Sequence, residues 1–573
     1  MLDIEEKYSK RMKSNIILSD LKVPMRIELK LLELISEWNQ CFSAPALLNK
    51  TNQEVLNEYL VILFDESRPR PIQDLGTRIG YRLGAKGPVE AVGIGASLLK
   101  AIAGPLHTID EELEIHSKYR LDRATFKKLY QLHLLPPVKG TPIPWTDNHT
   151  GGYVLESKSV LMGKGNHHTH TQALDALNAL QQVSWKIDPT VVIEEKSTHP
   201  NTKRFLRVVA DYLGDEFNFV WRFDKRGRSY SQGWDINLQN DEYGKALLSL
   251  ANKEVVTNLD NLKIAIANHA GLDRCTWQER IDWFDNQQDE FDTEVFDEPV
   301  LGRKALRAFQ DTLDGKPTGY WMSMDATASG LQIMAVLSGC KKTAEVCNLI
   351  NTGDREDVYV MVADMMNSQL DPVDQVSRKD VKKPVMTKMY NSEAMPKASF
   401  NDNQLRAFNQ ALDGLVPGAM EVMELINACW DNTALTHKWT LPDGHVAKCK
   451  VEEMVDVQVT VDEMSFPYRY LSNRPSDNFR SLCPNIVHSI DGYVAREMVR
   501  RSDFELAHIH DCFVFHPNHR EEVCQLYREV LADVAQMDLL QDILSEVTGK
   551  TVSVIKDSTD LHLDILSSEY ALS

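Results

Sequence analysis

Two apolar runs end in aspartate, and a fold that joins those two ends is the tightest constraint this chain imposes. GYWMSMD stops at Asp325 and opens into ATASGLQ, while the hairpin-like segment LAHIHDCFVFHP carries Asp511. Each carboxylate stands where a strand stops and so projects from a rigid edge. Taken singly, an aspartate at a strand end is ordinarily a turn residue. Between the two lies Arg378-x3-Lys382-x7-Tyr390. Carboxylate, cationic clamp, carboxylate is the order that nucleotidyl transfer needs.

The chemistry behind that order is specific. In-line attack of a hydroxyl on an α-phosphate can be assisted by two divalent ions that stabilise the attacking and leaving oxygens. Such ions, Mg²⁺ above all, take hard oxygen ligands, so carboxylates are expected and cysteine or histidine are not. Two bare carboxylates about 4 Å apart repel by roughly 4 kcal/mol at an effective dielectric of 20, a strain that metal relieves. SRKDVKKPVMTKMYNSE reads as a helix in which Arg378, Lys382, Met386 and Tyr390 follow four-residue steps. Two cations on successive steps can hold a triphosphate while the aromatic packs on the incoming sugar and base. The plainer alternative is a solvated basic helix with a core tyrosine. Pro384 removes a backbone donor inside that helix, so a kink or distorted turn is expected there. PNIVHSIDGYVAREM places His488 and Asp491 just before an amphipathic helix. His488 is within reach of a minor groove or a nucleotide sugar, or is an ordinary satisfied core histidine.

Composition sets the bounds. The 573 residues are 43% hydrophobic, enough for several subdomains around a deep cleft. A formal charge of -20 argues against indiscriminate coating of nucleic acid but leaves room for a basic channel. Basic clusters stand at 118–128, 203–207, 223–228 and 378–383, and a solvated helix face is the alternative for each. Nine cysteines without a C-x-x-C pair, and no signal-like leader, lead us to expect a reduced cytoplasmic protein that is not secreted. The longest apolar stretch, near Val89 to Ala103, is broken by Glu90, Gly93, Gly95 and Lys100, so no membrane segment is expected.

Residues 1–130 read as an all-helical region, with MRIELKLLELISEW, QEVLNEYLVILF and ATFKKLYQLHLL at helical spacing. Proline and glycine then mark a boundary, after which TQALDALNALQQVSWKI gives another helical pattern. From Phe217 strands and helices mix, with strand pairs around PDG (442–444) and His510-Asp511. The expected class is α+β. HHTH (167–170) reads as a polar loop, Gly93-x-Gly95 as a close helix contact, and no phosphate-binding P-loop is present.

Four segments together, DATASGLQIMAVLSG, RKDVKKPVMTKMY, PNIVHSIDG and HIHDCF, resemble the successive signature motifs of the single-subunit DNA-dependent RNA polymerases of bacteriophages and mitochondria. The resemblance reaches upstream to FDKRGRSYS, GKALLSLA and HAGLDR, more faintly to PWTDNHTGGY and LNALQQVSWKI, and spans roughly 130–573. It implies a right-hand fold of palm, fingers and reduced thumb with a helical amino-terminal domain. The divisions it implies are 1–130 (amino-terminal domain), 131–216 (its remainder and the thumb), 217–340 (first part of the palm), 341–483 (fingers and specificity-hairpin region) and 484–573 (second part of the palm and carboxyl-terminal foot). It implies that Asp325 and Asp511 bind two Mg²⁺ ions, Arg378 and Lys382 grip the triphosphate, and Tyr390 and His488 select ribose. Arg228 and Tyr230 would contact the template or first nucleotides, and Lys245, Arg274 and His510 would line the substrate path. The implied partners are a DNA template, NTPs and an RNA product.

The departures from the family matter too. Only about 35 residues separate WKID from FDKRGR, so the thumb is short and its grip on the hybrid weak. The stretch from PDG to VHS reads as compact beside the promoter-reading hairpin of relatives. A second subunit or a single-stranded-DNA-binding protein is therefore expected to assist promoter choice and processivity. EYALS resembles the family's terminal foot, which implies a terminal carboxylate near the active site, and bulky additions after it are expected to depress synthesis. A primase or DNA polymerase on the same fold is the alternative activity, and a non-catalytic nucleic-acid scaffold is the second.

Overall fold

Met322–Asp325 is the edge strand of a three-stranded antiparallel sheet, with Cys512–Phe515 at the centre and Leu506–Ile509 at the other edge. The structure is a computed structural model, describing residues 1–573 except 1–4, 7–9, 22, 42–49, 65–67, 126–128, 130–135, 156–157, 164–165, 198–201 and 288–290. Alternation drives the pairing: Met322, Met324, Phe513 and Phe515 are buried. The register sets Met322 against Phe515 and Asp325 against Cys512. Three helices pack together around this element: Ser329–Ser338, Leu482–Arg501 and Arg520–Gln536.

The described residues mix helices with small antiparallel sheets, an α+β fold. None of the described helices is long and apolar enough to cross a membrane. All nine cysteines are free. Two compact units divide the chain, one from 136–451 and 475–573, the other from 3–135 and 452–474.

In the first unit a four-stranded sheet runs in the order 138–139, 217–218, 184–187, 248–250. The helical reading of TQALDALNALQQVSWKI is corrected here. Its helix ends at Leu180, and Ser184–Ile187 is a strand, because SWKI alternates half-buried and buried positions. His488 and Asp491 lie within the helix Leu482–Arg501 and not before it. Pro484 falls in its first turn, where no backbone donor is needed. The helix Arg378–Met389 runs through Pro384. A capping box holds its start, Ser377 N donating to Asp380 Oδ2 at 2.9 Å and Asp380 N to Ser377 Oγ at 3.4 Å. Thr387 Oγ1 donates to Lys383 O at 2.9 Å one turn on.

The second unit contains Met25–Cys41 and Asn52–Leu63 as helices, where the periodicity placed them. It is not wholly helical: 70–71, 107–109 and 114–117 form a three-stranded sheet. Strands of two to four residues are too short to leave a periodic signal. The helix expected over 124–135 lies mostly outside the described residues. Ile72–Arg82 and Pro88–Ala101 pack backbone to backbone. A Cβ at Gly95 would stand 1.9 Å from Gly76 O and one at Gly80 2.0 Å from Ala91 O, so glycine permits the approach. Gly93 has open space around it. The segment read as compact contains a long hairpin, Glu452–Val461 against Met464–Asn473, whose Val459, Val461 and Phe466 join this unit's core.

His107 ties this unit to pH. Its Nε2 lies 2.9 Å from Leu99 O, which only accepts, so Nε2 carries the proton and Nδ1 accepts from the Tyr59 hydroxyl at 2.8 Å. Burial pushes the ring down to about 4. The folded value lies below the unfolded one, so unfolding takes up a proton and stability falls as pH drops from about 6.5 toward 4. By pH 5 the expected loss is about 2 kcal/mol. Urea unfolding of His107→Gln should show about one proton less of pH dependence in that window; an unaltered slope rejects the assignment.

Candidate active site

The pairing of Asp325 with Cys512 brings Asp511 alongside, because Asp511 belongs to the two-residue turn joining the other two strands. Its neighbour His510 takes φ 59°, a left-handed conformation that histidine tolerates better than most residues. Ala326 N donates to Asp511 O at 3.1 Å, fastening the turn to the end of the first strand. Both carboxylates line one cavity of about 760 Å³.

Asp325 is open to that cavity yet crowded by protein behind it. Burial raises its carboxyl above the usual range and Asp511 adds to the rise, against a hydrogen bond from the Cys512 thiol and the charge of Lys245. Among the described residues neither aspartate has an ion-pair partner. Uncompensated, adjacent carboxylates with all-oxygen donors suit hard divalent cations. The one group of three potential ligands within 4.8 Å among the described residues is Asp110, Glu114 and His116, in the other unit and partly exposed.

The same cavity is lined by Arg378, Lys382, Tyr390, Lys245 and Arg274. Asp357 orients the clamp: its Oδ1 caps Tyr359 N at 3.0 Å and its Oδ2 takes Arg378 Nε at 2.6 Å. Arg378 and Lys382 lie 5.2 and 5.9 Å from the centre of the Tyr359 ring. Gly330, from the first turn after ATA, meets Tyr390: a Cβ there would be 3.4 Å from its hydroxyl. Burial pushes that phenol up to about 12, so it stays protonated.

Arg228, Tyr230, His488 and His510 are not among the lining residues. They form a network behind Tyr390. His488 packs against Tyr390 with ring centres 4.6 Å apart, and Arg226 Nη1 donates to its Nδ1 at 2.6 Å. Burial, helped by Arg228 and Arg226, pushes His488 down to about 2. Arg226 also pairs with Asp224, which accepts from Tyr230, and the Tyr230 ring meets His510 at 5.0 Å. Arg228 is engaged in a buried ion pair with Asp491 at 2.6 Å.

Sequence reasoning missed Arg355 and Tyr359, which line the cavity together with Ser573, the residue whose terminal carboxylate was expected near the active site. Arg355 Nε donates to Ser573 Oγ at 2.7 Å, and burial lowers its pKa. Ser573 N in turn donates to Asp325 O at 2.9 Å. The glutamine of DATASGLQ, Gln332, is wholly buried and staples this corner. Its Nε2 donates to Thr327 Oγ1, Cys347 O and Ala571 O at 3.0, 3.0 and 2.9 Å, and its Oε1 accepts from Tyr527 at 2.8 Å.

The sequence profile of the DNA-dependent RNA polymerase family matches residues 317–441 and 446–565, which hold both aspartates, the clamp helix and the helix of His488. Over these residues the chain is similar to the DNA-dependent RNA polymerase family. It is 25% identical over 354 residues to a DNA-directed RNA polymerase of Pseudomonas phage phiKMV, covering 50% of this chain and 43% of the relative. With the mitochondrial DNA-directed RNA polymerase of Schizosaccharomyces pombe it shares 22% identity, covering 75% of this chain and 49% of the relative. A probable DNA-directed RNA polymerase of Gelasinospora is also 22% identical, over 81% of this chain and 68% of its own length. The chain spans about half the length of these phage and mitochondrial relatives.

Proposed function

We propose that the chain synthesises RNA from NTPs on a DNA template by two-metal nucleotidyl transfer. The observation that carries this reading is a single cavity lined by Asp325 and Asp511 at one strand pair and by Arg378 and Lys382 from one helix. In it, Asp325 and Asp511 hold two Mg²⁺ ions, which when bound supply the charge that steadies the attacking and leaving oxygens. Lys382 faces the triphosphate as a mobile point charge, and Arg378, held by Asp357, as an oriented fork. Lys245 and Arg274 extend the cationic lining. Tyr390 and His488 read the sugar: with Nδ1 occupied by Arg226, His488 keeps Nε2–H as a donor toward a hydroxyl. Arg228, through Asp491, and Tyr230 with His510 brace this pair from behind and stand on the template side.

In this reading 217–340 is the first part of the palm, 484–573 its second part with the carboxyl-terminal foot, 341–483 the fingers and specificity-hairpin region, 131–216 the remainder of the amino-terminal domain with the reduced thumb, and 1–130 the helical amino-terminal domain. Between WKID and FDKRGR the described helices are Pro189–Glu194 and Thr202–Ala210, of six and nine residues, little with which to hold a hybrid. A second subunit or single-stranded-DNA-binding protein then supplies processivity. Free cysteines suit a reducing cytoplasm.

The test is run-off synthesis on single-stranded and duplex DNA with rNTPs or dNTPs supplied separately. RNA is the expected product, and Tyr390→Phe should narrow the preference for rNTPs by roughly tenfold, the worth of one hydrogen bond of about 1.4 kcal/mol. Equal use of dNTPs by the unaltered chain would point to a primase or DNA polymerase.

A further inference from the structure

The hairpin Thr436–Thr440 against Val446–Lys450 is built on the PDG turn. Its inward residues His437, Trp439, Ala447 and Cys449 are buried, and Trp439 Nε1 donates to Ser489 Oγ at 2.9 Å, which fixes the hairpin to the helix Leu482–Arg501. The outward face therefore stands on a rigid support. The register sets Lys438 directly opposite Lys448 on that face. Like charges in direct cross-strand opposition are unfavourable. Acids are not scarce in this chain, which has 83 against 63 lysines and arginines. Yet among the described residues neither lysine has an ion-pair partner.

The loop 167–172 runs beside this face: Val446 N donates to Thr171 O at 3.0 Å and Gln172 Nε2 to Val446 O at 3.2 Å. It places His168 and His170 next to the lysines, their rings 5.1 Å apart. Burial first, then Lys448, lowers both histidines, and no carboxylate opposes the fall in either. The charges that act on Lys448 are those of Lys438 and Lys450, so the field at its ammonium is positive, with Glu546 held by Thr440 at the end of the strand. Solvated lysines swinging apart would suit a loose edge, but not a hairpin fixed on both sides, whose nearest carboxylates are engaged elsewhere, Asp443 by Arg496 and Glu546 by Thr440.

We infer that the outward face of this hairpin, with Lys438 and Lys448 flanked by His168 and His170, grips the sugar-phosphate backbone of nucleic acid. The inference rests on the proposed function only in taking the chain to handle nucleic acid. Phosphates would turn the repulsion between the lysines into attraction, and binding would release one counterion per neutralised phosphate.

The experiment is a salt titration of binding to a fluorescein-labelled single-stranded DNA of about 20 nucleotides, with the full chain and without nucleotides or divalent cations. Lys438→Gln/Lys448→Gln should lower the slope of log K against log salt by about 1.4, two contacts at about 0.7 each. Lys438→Arg/Lys448→Arg should keep the parental slope. Thermal unfolding of the glutamine variant should be unchanged or slightly raised, since repulsion is removed. Should the double variant not fold, Lys448→Gln alone is expected to lower the slope by about 0.7. A parental slope in a folded glutamine variant overturns the inference. Since turnover is not read, failure of the catalytic assignment would leave this result standing.

Discussion

Asp511→Asn is expected to cut nucleotide addition by at least about a thousandfold while leaving the fold intact, a loss of about 4 kcal/mol or more in transition-state stabilisation. The substitution is nearly isosteric, and Asp511 has no ion-pair partner among the described residues to lose. Its backbone carbonyl still accepts from Ala326 N, so the turn keeps its geometry. What disappears is one of two adjacent negative charges, and with it a hard anionic ligand for a divalent ion. The same charge helps raise the Asp325 carboxyl, so neutralising it should relieve repulsion. We therefore expect the thermal midpoint of Asp511→Asn to equal or exceed that of the parent in metal-free buffer. Single-nucleotide extension of a primed template, with thermal unfolding beside it, checks both halves. Turnover within tenfold of the parent would defeat the two-carboxylate site, and reduced stability would show that Asp511 has a structural duty instead. A scaffold that had lost catalysis would be indifferent to the change.

The parts of the site legible in the sequence are those whose chemistry sits on regular elements. Asp325 ends a strand with clear alternation, Asp511 sits in the turn between two short apolar strands, and Arg378 and Lys382 share a helix face, so type and spacing pointed to the residues that line one cavity. Arg355 and Tyr359 were not legible for a different reason. They flank the cap residue Asp357, and their approach to the cavity depends on where that helix start docks. A signal was present in Asp357 followed two residues later by an aromatic, a cap geometry that aims a ring from the first turn. Ser573, whose terminal carboxylate was expected near the site, is held there by its backbone bond to Asp325 and by Arg355 on its hydroxyl, partners that no residue type announces. In the fold, EEMVDVQVTV and MSFPYRYLSN alternate plainly, so the hairpin 452–473 was readable and was overlooked. SWKI was absorbed into a preceding helix because four residues are too few to set one period against another.

The largest expected effect on stability comes from Asp443, the aspartate of the PDG turn. Arg496, fully buried in the helix Leu482–Arg501, gives it two bonds, Nε to Oδ2 at 2.6 Å and Nη2 to Oδ1 at 3.2 Å. Arg500 adds a third from Nη1 at 3.1 Å, and Arg496 Nη1 turns to Gly227 O at 2.6 Å. Three motifs that lie far apart in sequence thus meet at one guanidinium. Gly227 takes φ 95°, and a Cβ there would stand 2.6 Å from His445 Nε2, while one on Gly492 would stand 2.7 Å from Gly227 O. The junction leaves no room for a Cβ at either glycine. Asp443→Ala would leave Arg496 buried without its counter-charge, which costs about 3–5 kcal/mol. Replacing both partners by apolar residues, Asp443→Leu with Arg496→Met, should cost less than Asp443→Ala alone, because no charge is then stranded. Urea unfolding of the three proteins decides the matter. If Asp443→Ala costs under about 1 kcal/mol, or the double variant is the least stable, the pair is a solvated contact and not the joint between hairpin and helix. The hairpin that presents Lys438 and Lys448 hangs on this joint, so loosening it should also weaken nucleic-acid binding without changing either lysine.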